Sequence, residues 1–343
     1  MLSASSVVSL RAADGQFALF TKQVVWIGLG LGGLVIAAFV PYRTWQRLAI
    51  PLYVFTIVGL IVTLVAGSER GGAVRWIVVG PVTLQVAEFA KFTVLALLAA
   101  ALAKKDDYLD EVGHVMVPLA AIFLPVGMLL LAQPDFGSLL LIIVPAFIML
   151  AASTVPLRFV ISLGALGAMG MTALAMSADY RKERLLGFLD PFSNAQGSGL
   201  QAVQSMVALG TGGLFGVGLG QSRARWSWLP NAHTDFIFAI IGEETGFAGA
   251  MIVVALFTLL AIVGVSVAYR AQDRFGRLLA VGIVSWLTVQ ALVNIGGVVA
   301  TLPITGVPLP FISSGGNAML VNLFAIGVLI NISRSSDAAG DPS

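Results

Sequence analysis

Asp235 stands two residues from His233, one of only two histidines in the chain, at the entrance to a strongly apolar segment. The run reads Leu229-Pro230-Asn231-Ala232-His233-Thr234-Asp235-Phe236-Ile237-Phe238, and Glu243 and Glu244 follow it into that segment. Charge at a membrane boundary is costly, so an acid kept there usually has a task. A carboxylate so placed can take or give a proton; it can also cap a helix starting near Phe236, because Asp is a favoured N-cap. Glu243 lies eight residues further on, which along a helix is about 12 Å of rise and a similar face. It is expected to line the same cavity, with Glu244 turned away to pair with another helix. Glu88 and Lys91 form a second charged pair, three residues apart and therefore on one helix face. A lone lysine at bilayer depth costs about 2.5–3.5 kcal/mol or more, a cost that pairing reduces. No His/Asp/Glu cluster has metal-ligand spacing, and a chain without cysteine has neither a disulfide framework nor a thiolate metal site.

The elements that position these groups are membrane spans. The chain has 343 residues, 58% hydrophobic and only 10% charged, against roughly a quarter charged in soluble proteins. Windows of about 20 residues predict nine spans, near 23–41, 47–66, 86–103, 115–132, 137–154, 157–177, 236–268, 278–300 and 317–333. The 236–268 segment exceeds one bilayer thickness, so it must tilt or begin outside the hydrocarbon. No linker rich in Pro or Ser divides the chain, which reads as one membrane domain over 1–343. Every second loop is basic, through Arg43 and Arg47, Lys104 and Lys105, Arg158, Arg270, Arg274 and Arg277, and Arg334. That side is expected to be cytoplasmic. The opposite side receives the loops at 67–85, 133–136, 178–235 and 301–316. The long 178–235 loop breaks the charge pattern with Arg181, Lys182, Arg184, Arg223 and Arg225. It is either a translocated loop exempt from the rule or an outward anion site. Its run from Gly210 to Gly220 lacks a βαβ context and reads as tight packing and turns. The net charge of +2 says little about partners, and no nucleic-acid partner is expected.

Five ordered blocks then carry a family resemblance over essentially the whole chain. They are Arg75-Trp76-Ile77 with Gly80-Pro81 and Gln85 to Lys91; Gln133-Pro134-Asp135-Phe136-Gly137; Phe188-Leu189-Asp190-Pro191 with Gly197-Ser198-Gly199 and Gln204-Ser205; the 229–246 segment; and Pro308-Leu309-Pro310-Phe311-Ile312-Ser313 with Gly315-Gly316. Together they resemble the SEDS proteins (shape, elongation, division and sporulation), the group of FtsW, RodA and SpoVE. The resemblance implies an all-α fold of ten spans, so that nine visible spans point to a first helix missing ahead of the stub at Met1 to Leu10. It also implies a peptidoglycan glycosyltransferase that polymerises lipid II on the outer face of the cytoplasmic membrane. The chain has no GxxxxGK[ST] phosphate loop, consistent with a donor carried by the membrane.

By the same resemblance Asp235 is the general base of an inverting displacement. His233 either orients it or holds phosphate. Glu88 and Lys91 fix helix packing or line the substrate cavity, with Lys91 near the diphosphate. Asp135 is a turn-former or a cavity wall. Arg184 is the candidate for steadying the departing diphosphate, and Gln204 and Ser205 for hydrogen bonds to sugar or phosphate. Mg²⁺ or Mn²⁺ would bind largely through substrate oxygens. A class B penicillin-binding protein and other divisome membrane proteins are the implied partners. Details of the 239–244 and 329–334 segments look more like FtsW and SpoVE than RodA. A RodA-like elongation polymerase, a lipid II flippase and a non-catalytic divisome scaffold are the alternatives. Asn231 replaces an acidic residue usual in the family, Val86-Ala87 replaces Pro-Ser, and Ser314 and Asn317-Ala318 alter the last outer loop.

Overall fold

The computed structural model describes residues 18–70, 73–80, 82–104, 112–176, 188, 190–192, 197, 199–224 and 234–339. Nine helices coincide with the nine expected spans: α1 Ala18–Phe39, α2 Arg43–Ala66, α3 Val86–Lys104, α4 Val112–Ala132, α5 Phe136–Ala151, α6 Leu157–Met176, α8 Ile237–Arg270, α9 Arg274–Val298 and α10 Gly316–Ala339. Between α6 and α8 the long loop holds one more described helix, α7 Leu200–Gly212. Six of the ten are long and apolar enough to cross a membrane, while 116–132, 136–151 and 157–170 are shorter apolar stretches. The chain is a multi-pass membrane protein.

The loop at 67–85 holds the only strands among the described residues. β1 Ser68–Arg70, β2 Ala73–Val79 and β3 Val82–Leu84 form an antiparallel sheet in the order β1-β2-β3. Trp76 pairs with Ser68, and Ile77 with Leu84. The run Ala73-Val74-Arg75-Trp76-Ile77-Val78-Val79 is rich in the β-branched and aromatic residues that suit a strand.

The chain divides into two compact units, each assembled from separate stretches. One comprises 29–164, 260–289 and 317–343. Its core packs Leu60 of α2, Val86, Ala90 and Val94 of α3, Ile122 and Val126 of α4, and Ile142 of α5. Carboxamides tie its backbone together: Gln133 Nε2 donates to Leu60 O at 2.8 Å, Asn317 Nδ2 to Thr83 O at 2.8 Å and Asn331 Nδ2 to Ala38 O at 3.0 Å. Despite Val86-Ala87 in place of Pro-Ser, α3 begins at Val86.

The other unit comprises 1–28, 165–259 and 290–316. Phe236 to Ile240 are all buried there, packed with Ala208, Val253, Ala291, Val298 and Leu309. The 34-residue α8 is broken at Gly246, where φ is 70° and ψ −167°, which accounts for the excess length of the apolar segment. The loop after α7 fills the break. Phe247 N–H donates to Gly213 O at 2.8 Å and Ala248 N–H to Leu214 O at 3.2 Å, while Val217 and Gly218 N–H donate to Glu243 O and Glu244 O at 3.0 and 3.1 Å. Gly216 has φ +80°, and a Cβ there would lie 2.1 Å from Glu244 O. Gly216→Ala should therefore lower stability by more than about 1–2 kcal/mol, seen as a fall in Tm of the detergent-solubilised protein. Gly210, where a Cβ meets nothing within 4 Å, should tolerate Ala within about 0.5 kcal/mol.

Candidate active site

Asp235 lies two residues before α8 begins, half-buried, with Phe236 behind it in the core. Its backbone is clamped from two sides. Asn294 Nδ2, on α9, donates to Asp235 O at 2.7 Å and to Val307 O at 2.8 Å. Ser313 Oγ donates to Thr234 O at 2.5 Å and accepts from Leu309 N–H at 2.8 Å. One turn earlier on α9, Gln290 Nε2 donates to Pro308 O at 2.7 Å. Residues four apart share a helix face, so a single polar edge of α9 organises the 303–313 loop and holds Asp235 beside it. A small recess is lined by Asp235, Phe236, Asn294, Gly297, Thr305 and Gly306. Gly306 has φ +73°, and a Cβ there would stand 3.5 Å from Asp235 Oδ2. Glycine thus leaves room beside the carboxylate.

Several expected site residues have structural tasks. Glu243 is buried, and its carboxylate accepts from Ser222 Oγ at 2.5 Å, Arg223 N–H at 3.0 Å and Ala224 N–H at 3.2 Å. It secures the 222–224 segment; the expectation that it lines a cavity with Asp235 is corrected by these three donors. Glu244 is also buried, and its backbone carbonyl holds Gly218. Ser205 is fully buried, with its hydroxyl directed to Val298 O at 2.9 Å and Ala202 O at 2.9 Å. That is a tie between α7 and the end of α9. Gln204 beside it is half-buried. Arg184 and His233 lie outside the described residues.

The second group of candidates belongs to the other unit. Lys91 Nζ and Glu88 Oε2 are 2.8 Å apart, both side chains at most 4% exposed, and Nζ sits 5.2 Å from the Trp286 ring centroid. Asp135 caps α5, accepting from Ser138 N–H at 3.2 Å and Ser138 Oγ at 2.8 Å. It also faces Arg75 Nη1 at 3.9 Å, and Arg75 donates to Pro134 O. Of its two readings, the structure displays the turn-forming one. Among the described residues, no three His, Asp or Glu side chains gather where a metal ion could sit.

Sequence reasoning missed Asn294 and Gln290, and named Ser313 only as part of a family block. Two amides four apart in an apolar helix were the available signal, since polar groups in such helices commonly act as glue.

The family model of the cell cycle proteins FtsW, RodA and SpoVE matches residues 1–338. The chain belongs to this family. It is 36% identical to the stage V sporulation protein E of Bacillus subtilis, over 97% of this chain and 92% of that protein. It is 37% identical to a probable peptidoglycan glycosyltransferase FtsW of Geobacter sulfurreducens, over 96% and 89%. Among solved structures, a chain from a study of how a peptidoglycan synthase complex coordinates polymerization and crosslinking aligns with a TM-score of 0.79 and 30% identity, over 98% and 95%. The rod shape determining protein RodA of Thermus thermophilus aligns at 0.70 and 29%, over 97% and 93%.

Asn294→Ala strips a donor from two backbone carbonyls and should cost about 1–3 kcal/mol, checked by thermal unfolding. Lys91→Met leaves a buried carboxylate unpaired and should cost about 3–5 kcal/mol; adding Glu88→Gln should restore most of the lost Tm.

Proposed function

We propose that the chain is a peptidoglycan glycosyltransferase, polymerising lipid II into glycan strands on the outer face of the cytoplasmic membrane with inversion at the anomeric carbon. The observation that carries this reading is an acid at the start of α8 whose backbone is immobilised by Asn294 and Ser313. It gains support from relatives named as probable peptidoglycan glycosyltransferases.

In this mechanism Asp235 accepts the proton of the acceptor sugar 4-hydroxyl. The hydroxyl oxygen bonds to the donor anomeric carbon, and the bond from that carbon to the diphosphate breaks. The diphosphate leaves with the electron pair. A positioned base supplies typically about 10²–10⁴-fold, and fixing it through its own backbone keeps the reacting geometry at little entropic cost. Arg184 steadies the charge that develops on the diphosphate, and His233 orients Asp235 or holds phosphate. A Mg²⁺ or Mn²⁺ ion would enter with the substrate, on its phosphate oxygens; no step here uses one. The chain works in cell division beside a class B penicillin-binding protein, a pairing that the likeness to a peptidoglycan synthase complex supports.

The test uses purified full-length protein with labelled lipid II, alone and with its transpeptidase, scored for glycan chains. Wild type should polymerise and Asp235→Asn should lose about 10²–10⁴-fold. Equal polymerisation by both would remove Asp235 from the chemistry. Transbilayer movement of lipid II without polymer would replace the enzyme by a flippase.

A further inference from the structure

The tip of the large loop, residues 213–220, carries Leu214, Phe215, Val217 and Leu219 and no charged residue. These side chains are not core. Phe215 is 84% exposed and Leu219 79%, with Leu214 and Val217 also turned outward. On a water-facing loop such a cluster would be a liability.

Its attachment explains it. Leu214 O accepts from Ala248 N–H and Gly213 O from Phe247 N–H, so the tip is fastened alongside the start of the unbroken, 24-residue part of α8, Phe247–Arg270. The outward face there is apolar too: Phe247, Met251, Ile252, Leu256 and Leu259 are all exposed. This stripe has the composition and length of a lipid-facing surface, and Leu214 and Phe215 continue it without a polar break.

Irregular backbone is tolerated at membrane depth only where protein satisfies its polar groups. The part of the loop that touches α8 meets that condition. Gly216 N–H donates to Gly212 O at 2.7 Å, Val217 and Gly218 N–H to the carbonyls freed at the α8 break, and Gly213 and Leu214 carbonyls accept from beyond it. Polar residues resume on either side, at Thr211 and at Gln221 to Arg223.

We infer that the 213–220 tip re-enters the bilayer on the side where α8 begins, its apolar side chains embedded among lipid acyl chains. The broken helix supplies the hydrogen bonds that lipid cannot. The segment is thus a membrane anchor inside a loop that the sequence places in water.

Because the protein has no cysteine, single-cysteine labelling tests this without background. Spin labels at Phe215→Cys and Leu219→Cys, in the full-length protein in lipid nanodiscs, are compared with Ile252→Cys on the α8 stripe and Arg223→Cys on the loop. The expected result is collision with oxygen and loss of broadening by a water-soluble nickel chelate at 215 and 219, matching 252 and opposite to 223. Nickel access at 215 and 219 like that at 223 would overturn the inference. So would protection from both reagents, which would mean that protein covers the tip.

Discussion

Hydrocarbon offers no hydrogen bonds, and the arrangement of this chain follows from that constraint. Within each unit the carboxamides serve the backbone. Gln133, Asn317 and Asn331 in one unit, and Gln290 and Asn294 in the other, all donate to main-chain carbonyls. The same requirement governs the break at Gly246, where the glycine-rich loop after α7 provides the donors and acceptors that the helix gives up. The helix can be interrupted there because another segment completes it.

The acids divide under the same logic. Glu88 is matched by Lys91, Asp135 by Ser138 and Arg75, and Glu243 by Ser222 and two backbone amides. Each of these acids is buried, and its charge maintains a local geometry. Asp235 is half-buried, at the lip of a recess, and is held by its main chain. Its main chain is fixed while the side chain keeps its own contacts.

Much of this was legible in the sequence. Hydropathy placed nine helices because spans must be long and apolar, and the excess length of 236–268 pointed to a tilt or a start outside the hydrocarbon rather than to a break. It could not place the break, since Gly246 is one glycine among 38 and its role depends on a loop some thirty residues earlier. The sheet at 68–84 escaped notice because strands of three to seven residues fall below the window that finds spans. Asp235 was recognisable from its cost at a membrane edge and its family block. Asn294 was not, because its importance lies in a contact across 59 residues of sequence. Glu243 was misjudged by helical spacing alone: the donors that claim its carboxylate come from another stretch of chain. Gln204 and Ser205 stood out as polar residues on a loop helix, and Ser205 proved to be an internal tie.

If Asp235 is the base proposed above, Asn294 acts through it by holding its backbone. A double-mutant cycle in kcat for lipid II polymerisation, with Asn294→Ala, Asp235→Asn and both together, tests it most directly. Asn294→Ala should slow the wild type and add no further loss once Asp235 is Asn. Equal losses from Asn294→Ala in both backgrounds would contradict it.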